Sequence, residues 1–257
     1  MQRVLDLDLD FFLHGVAGDR PFDAPRLDAV DYPPWDLENV MAFLEERCYL
    51  LGSLPGVAVE HHGEVFGTWR DGLHGGILQL PFHVTHVDAH GDLGWGELGY
   101  MYLLSEHLAL PPAERWYPRE SKDGLAEAMT DGSYLAFAVA ARWIADLTYV
   151  YCPGGGSDIH PYIMEGLDSH SRTIRMPRLT RNELKHINGS LPQRPKIPEE
   201  RLEPPIPLTA SRASEFCAPE PFDFIFLARS PAFTPSKADP IFDAIRERFI
   251  DEQAWKA

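Results

Sequence analysis

The sequence predicts an α/β fold: a mostly parallel central sheet with helices on both faces. Two observations predict it. Short apolar runs at 3–10, 57–62, 82–88, 148–151 and 222–228 alternate with segments of helical spacing, and strands separated by helices build parallel, layered sheets. Three of those runs also end in Asp, Glu and His. In open α/β sheets the site forms outside the carboxyl ends of the strands.

The elements follow in order. Residues 3–10 alternate Leu5, Leu7 and Leu9 with Asp6, Asp8 and Asp10, a strand with one acidic face. A polar, Pro-punctuated loop runs on to Pro34. Leu37, Val40, Met41 and Leu44 have helical spacing behind Asp36 as N-cap, and Gly52 and Pro55 end that helix at Leu51. Strands are expected at 57–62 and 82–88. Asp131–Leu147 reads as a helix carrying Leu135, Val139, Trp143 and Leu147, with Thr148–Tyr151 a further strand. From 187 to 221 the chain is dense in Pro (Pro192, Pro195, Pro198, Pro204, Pro205, Pro207, Pro219, Pro221), an extended excursion that would wrap the domain or meet a second subunit. A strand at 222–228 and a helix from Pro240 to Trp255, with Ile241, Ala244, Ile245 and Phe249 on one face, close the chain. At 257 residues and 44% hydrophobic composition, a single domain (1–257) with one large core is expected.

The chemistry lies at the strand ends. His-Val-Asp-Ala-His-Gly-Asp, His86 to Asp92, places Asp88, His90 and Asp92 at alternate positions, which a strand would point one way. Carboxylates and imidazoles converging from one segment suit a divalent cation; the plainer alternative is a solvated strand end. Asp6, Asp8 and Asp10 would be harmless on an edge strand. In a central one, which the apolar residues around them favour, they need positive counter-charge. The third segment, Val57 to Val65, ends in Glu60, His61, His62 and Glu64.

Asp88-Ala-His-Gly-Asp92 together with a strand-borne Asp-x-Asp resembles the binuclear manganese site of the arginase, agmatinase and deacetylase-like superfamily. The opening Asp-Leu-Asp-Leu-Asp-Phe-Phe and the Val-Glu-His-His-Gly-Glu-Val segment look closer still to an uncharacterised family with that arginase-like fold. These motifs cover about a seventh of the chain. The resemblance implies a three-layer α-β-α fold and two Mn²⁺ ions, with Zn²⁺ or Fe²⁺ as alternatives. It implies that Asp88 and Asp8 bridge the ions, with Asp10, His62, His90 and Asp92 as the remaining ligands, and that His61 orients a ligand. Asp6 stands where the ureohydrolases have a small polar residue, and the choice between Asp6 and Asp10 as ligand stays open. Two ions about 3.5–4 Å apart would activate a bridging water, so hydrolysis of a C–N bond in an amide, amidine or guanidine is expected.

Two features depart from that pattern. Here the Asp-x-Asp strand opens the chain, whereas ureohydrolases carry it last; a circularly permuted sheet would accommodate this if the termini lie close together. Ureohydrolases also hold the guanidinium with a Glu on a late strand, where this chain has Ala228 and Arg229. Arg229 would repel a guanidinium and bind a carboxylate or phosphate, or else simply snorkel from a strand end. The chain is therefore expected not to be an arginase.

Glu64, His61 and His160 are the candidates for acid–base catalysis, with His107 a further lone His. The Gly-rich segment Cys152 to His160 is either a plain surface turn or a loop carrying Asp158 or His160 to the metals. A net charge of −16 argues against nucleic acid or anionic membranes as partners and for a small-molecule substrate. It also works against an anion site at Arg229. No run of about 18 apolar residues is present and no signal peptide is visible. Cys48, Cys152 and Cys217 are too few and scattered for a disulfide frame, so a cytoplasmic protein is expected. Two rival readings remain: a haloacid-dehalogenase-type phosphohydrolase attacking through an N-terminal Asp with Mg²⁺, and a non-catalytic metal-binding scaffold.

Overall fold

The computed structural model describes residues 1–18, 20, 21, 23–94, 98–120, 125–156, 158–188 and 196–256. In chain order the strands are β1 (Arg3–Asp8), β2 (Leu54–Val59), β3 (Phe82–Val87), β4 (Ile144–Tyr151), β5 (Thr173–Ile174), β6 (Ile206–Arg212), β7 (Phe224–Ala228) and β8 (Ile250–Asp251). They form one eight-stranded sheet in the order β5-β6-β4-β3-β1-β7-β2-β8. Every pairing is parallel except β5 with β6. The acidic first strand is thus central, between β3 and β7, and the edge-strand alternative falls.

Alternation along the strands explains the layers. Val4 of β1, Val84 of β3 and Phe224 and Phe226 of β7 join one core. Leu5, Leu7, Val87, Ile225 and Leu227 join a second, as period-two side chains of a sheet covered on both faces must. The first core is closed by α2 (Glu64–Gly75), α3 (Gly99–Ser105), α4 (Tyr134–Ala140), α5 (Arg181–Asn188) and α7 (Glu252–Trp255). The second is closed by α1 (Leu37–Ala42) and α6 (Asp239–Phe249). The sheet therefore lies between two helical layers. Among the described residues no helix is long and apolar enough to cross a membrane.

Several boundaries differ from those the sequence predicts. The first helix changes to a π turn at Phe43–Arg47. The strand expected at 57–62 begins at Leu54 and stops at Val59, leaving His61 and His62 on a turn. The helix expected over 131–147 is only α4, because Arg142 takes a left-handed φ of 61° and Ile144 already starts β4. Leu147 therefore lies on a strand. The Pro-rich stretch contains β6, which pairs with β4 from Leu208 onward and with β5 through Ile206 and Pro207; Pro192 and Pro195 lie outside the described residues. α2 was not predicted because Gly67, Gly72 and Gly75 weaken helix propensity. Gly72 is required: the ring of Trp255 lies 2.4 Å from where a Cβ would stand. The final helix breaks after Phe249 into β8 and α7.

Candidate metal centre

Register brings the acidic strand to its partners. Asp6 of β1 pairs with His86 of β3, and Asp8 with Ala228 of β7. Asp6 and Asp8 share a face, but Asp10 arrives differently. The chain leaves β1 at Asp8 into a single 3₁₀ turn, Leu9–Phe12, capped by Asp8 Oδ1 accepting from the Asp10 N–H at 3.0 Å. The Asp88–Asp92 motif is likewise not a strand. β3 ends at Val87, and the N–H of His90 donates to Asp88 Oδ1 at 2.7 Å. The Ala89 N–H reaches Asp10 Oδ1 at 3.3 Å, and Asp92 turns at a φ of 47°. Asp88, His90 and Asp92 thus converge through a tight turn instead of strand alternation. A left-handed φ on a non-glycine residue costs energy and concentrates at functional sites; Ser230, at φ 45°, is a second case in the same cleft.

His62, on the turn after β2, points Nδ1 at Asp8 Oδ2 (3.0 Å), Asp88 Oδ2 (3.0 Å) and Asp92 Oδ2 (3.1 Å). Both His62 Nδ1 and Asp88 Oδ2 are enclosed and without a hydrogen-bond partner. Beside them, His90 Nδ1 lies 2.9 Å from Asp10 Oδ2 and 3.8 Å from Asp88 Oδ1. Among the described residues, Asp8, His62 and Asp88 form one group able to hold an ion, and Asp10, Asp88 and His90 form another. Asp88 belongs to both.

The far sides of these imidazoles are tied down. His62 Nε2 lies 3.2 Å from Asp6 Oδ1 and 3.0 Å from the Tyr134 hydroxyl. His90 Nε2 donates to the Ala17 carbonyl at 2.9 Å. Metal-binding histidines are held this way, the outer N–H on a carboxylate or carbonyl and the inner lone pair free. Ser230 Oγ donates to Asp8 Oδ2 in a short hydrogen bond, and Tyr134 donates to Asp6 in another.

Electrostatics show what this group lacks. Burial, reinforced by Asp10, Asp92 and Asp8, pushes Asp88 well above the usual carboxylate range. Burial and Asp10 also raise Asp8. Burial opposes the charge on His62, but its contacts with Tyr134, Asp6 and Asp8 outweigh it and raise the pKa well above the imidazole range. For His90, Asp10 and Asp88 outweigh the same burial and carry the pKa to about 11. Asp8 and Asp88 draw protons and are short of positive charge, whereas, against burial, His90 lowers Asp10 and His62 and His86 lower Asp6. Divalent cations supply that charge through the same atoms. The donor set of carboxylate oxygens and imidazole nitrogens, with two enclosed donor atoms otherwise unpartnered, fits two such ions.

The centre opens into a cleft of about 930 Å³ lined by Asp8, Asp10, His62, Asp88, His90 and Asp92. All six sequence-predicted ligands are therefore together. His61 also lines the cleft, half-exposed, with Nδ1 3.6 Å from Asp131 Oδ2. Its hydrogen bond to Asp131 raises its pKa. Glu64 reaches the cleft too, but its Oε2 closes the 60–64 turn by accepting the N–H groups of Glu60 (3.1 Å) and His61 (3.3 Å).

Two expectations are corrected. Arg229 is not among the described residues lining the cleft. It stacks on Phe242 at 3.9 Å and pairs with Glu60 (3.0 Å) and Asp239 (3.3 Å), because β7 ends at Ala228 and the following side chain turns toward α6. His160 is not in the cleft either: its Nδ1 accepts from the Tyr162 N–H at 3.2 Å, capping a 3₁₀ turn between the rings of Tyr100 and Tyr162. From the same loop Asp158 does arrive, Oδ2 accepting from the Gly91 N–H at 2.6 Å. Sequence reasoning also missed His86, Tyr134, Ser230 and Asp131. Only His86 carried a signal, two positions before Asp88 on the same strand face. Compared with known protein families, curated proteins and solved structures, the chain matches none.

Proposed function

We propose that this chain is a two-metal hydrolase of arginase-like architecture that cleaves a C–N bond of amide, amidine or guanidino type in a small molecule. The observation that carries the reading is that three ligand groups share Asp88, which lines an open cleft. Position one would be held by His62, Asp8, Asp88 and Asp92, and position two by Asp10, Asp88 and His90, with Asp8 as the second shared carboxylate. Oxygen and imidazole donors without thiolate favour Mn²⁺, then Fe²⁺ or Zn²⁺. When bound, such a pair supplies a water activated near neutral pH and Lewis acidity toward the substrate carbonyl or amidine carbon.

The chain's own residues do the rest. Asp6 and the Ala17 carbonyl fix the tautomers of His62 and His90, and Ser230 fixes the orientation of Asp8. His61, whose pKa is raised by its contact with Asp131, lines the cleft where it could give a proton to a departing amine. Glu64, Asp71, Glu120 and Asp131 line the same cleft together with Arg20 and Arg70, so it offers both signs of charge to a substrate beside the centre. The central place of β1 between β3 and β7 is what a permuted ureohydrolase sheet would need. Against arginine itself stands the lack of a Glu at the end of β7; the charge of Arg229 does not bear on it, since it is paired with Glu60 and Asp239. Of the two nucleophiles the phosphohydrolase reading offers, Asp6 is fully buried beneath His62, His86 and Tyr134, whereas Asp8 lines the cleft; that reading gives no role to His62 or to the Asp88–Asp92 turn.

The test is metal content by elemental analysis of protein purified without chelator, beside Asp88→Ala. About two Mn, Fe or Zn per chain, lost in the variant, with amine or ammonia release from a panel of amides and amidines, is expected. Absence of these metals, or Mg²⁺ alone and indifferent to Asp88, would refute the reading.

A further inference from the structure

Resting on the two-metal reading, we infer that His86 is an additional ligand, so that one of the two positions holds two imidazoles, both steered by the single carboxylate of Asp6. His86 is fully buried. Its Nδ1 lies 3.0 Å from Asp6 Oδ2, while Asp6 Oδ1 faces Nε2 of His62 at 3.2 Å. The two rings stack with centroids 5.2 Å apart. One carboxylate thus takes the outer N–H of each ring and turns both inner nitrogens toward the same acids.

The inner side of His86 has only acceptors before it. Nε2 lies 3.3 Å from Asp88 Oδ2, 3.9 Å from Asp92 Oδ2 and 3.2 Å from the His90 carbonyl. Without a cation, Nε2–H is the donor in the contact with the His90 carbonyl; with Nδ1–H given to Asp6, a cation in place of that proton would meet the Nε2 lone pair. His62 Nδ1 faces Asp88 Oδ2 and Asp92 Oδ2 as well, and it and Asp88 Oδ2 are two of the enclosed atoms without hydrogen-bond partners among the described residues. His86, Asp88 and Asp92 form an ion-holding group in their own right. Separations of about 3–4 Å between donor atoms are those around a cation bound at 2.0–2.2 Å. The position at His62 is therefore nitrogen-rich and the position at His90 oxygen-rich. Borderline Zn²⁺ or Fe²⁺ suits the first, and Mn²⁺ the second.

The test uses Zn²⁺ and the intact chain labelled with ¹⁵N-histidine, reading long-range ¹H–¹⁵N correlations of the eleven histidines. On adding two equivalents of Zn²⁺, His86 Nε2 is expected to move to the coordinated range with Nδ1 still protonated, while His62 and His90 coordinate through Nδ1. Asp6→Asn should weaken Zn²⁺ binding at the His62 position about 10–100-fold and leave the Nδ1 coordination of His90 in place. A His86 ring that keeps a proton on Nε2, as a donor to the His90 carbonyl, overturns the inference while His62 and His90 still report two metals. If none of the three rings responds to Zn²⁺, the two-metal reading itself fails and takes this inference with it. Because the first measurement is made on the unmodified protein, misfolding of a variant cannot decide the outcome.

Discussion

Acid should unfold this protein partly through His107, and the size of that effect follows from where the ring sits. The imidazole is fully enclosed, packs on Phe137 at 5.0 Å and shares a hydrogen bond of 3.2 Å with the Tyr102 hydroxyl; its Nε2 has no partner. Burial, aided by the positive charge of Arg115, depresses its pKa to about 4. In the unfolded chain the same ring takes a proton near the ordinary value of about 6.5. Between those values the unfolded state binds more protons, so stability is whole above about pH 6.5 and is lost as the pH falls through the folded value. The loss contributed by this one ring is ~2 kcal/mol at pH 5 and reaches ~3 kcal/mol below pH 4. The assay is urea unfolding at about pH 7.5 and pH 5, with chelator in both, for the parent and His107→Leu. Both proteins keep every other titrating group, so the variant should lose ~2 kcal/mol less than the parent on acidification. An equal loss in the two proteins would refute the argument, whatever the variant's absolute stability.

Two further outcomes are expected. Gly56→Ala should destabilise the fold by roughly 3 kcal/mol or more in urea unfolding and lower metal uptake. A Cβ there would stand 1.7 Å from the Ile225 carbonyl oxygen, forcing β2 away from β7 and shifting the turn that carries His62; an unchanged midpoint would show that the two strands part freely. Arginine should give no urea with the metal-loaded protein in a colorimetric assay, and measurable urea would restore the guanidinium reading that the end of β7 argues against.

What could be read from the sequence was the local part of the centre. Asp88, His90 and Asp92 lie within five residues, Asp8 and Asp10 within three, and His62 directly follows a strand, so residue type and position were enough to name them. The physical reason given for the Asp88–Asp92 set was wrong even so, since a turn and not a strand gathers them. The unread part depends on register. His86 meets Asp6 only because β1 and β3 pair in that alignment, Ser230 meets Asp8 only because β7 flanks β1, and Tyr134 comes from a helix on the face above. Arg229 failed for a related reason: the strand end at Ala228 was placed correctly, but the next side chain is drawn to Phe242, Glu60 and Asp239, which come from other elements. β6 was hidden by Pro205 and Pro207. Pairing with β4 begins only at Leu208, past both prolines.

The position of β1 also sets a timetable. Its two neighbours in the sheet come from different stretches of chain, β3 early and β7 late, and Asp8 and Ser230 are joined across 222 residues. During synthesis at roughly 5–20 residues per second, the acidic strand can dock on β3 early, but its other edge stays open until β7 leaves the ribosome, tens of seconds later at the slow end of that range. Until then Asp8 lacks Ser230, and the rim of the cleft that β7 delivers is missing. Two such ions could be captured in that geometry only after β7 has been made, so a filled cluster would serve as a late lock on a slowly assembled, non-local topology.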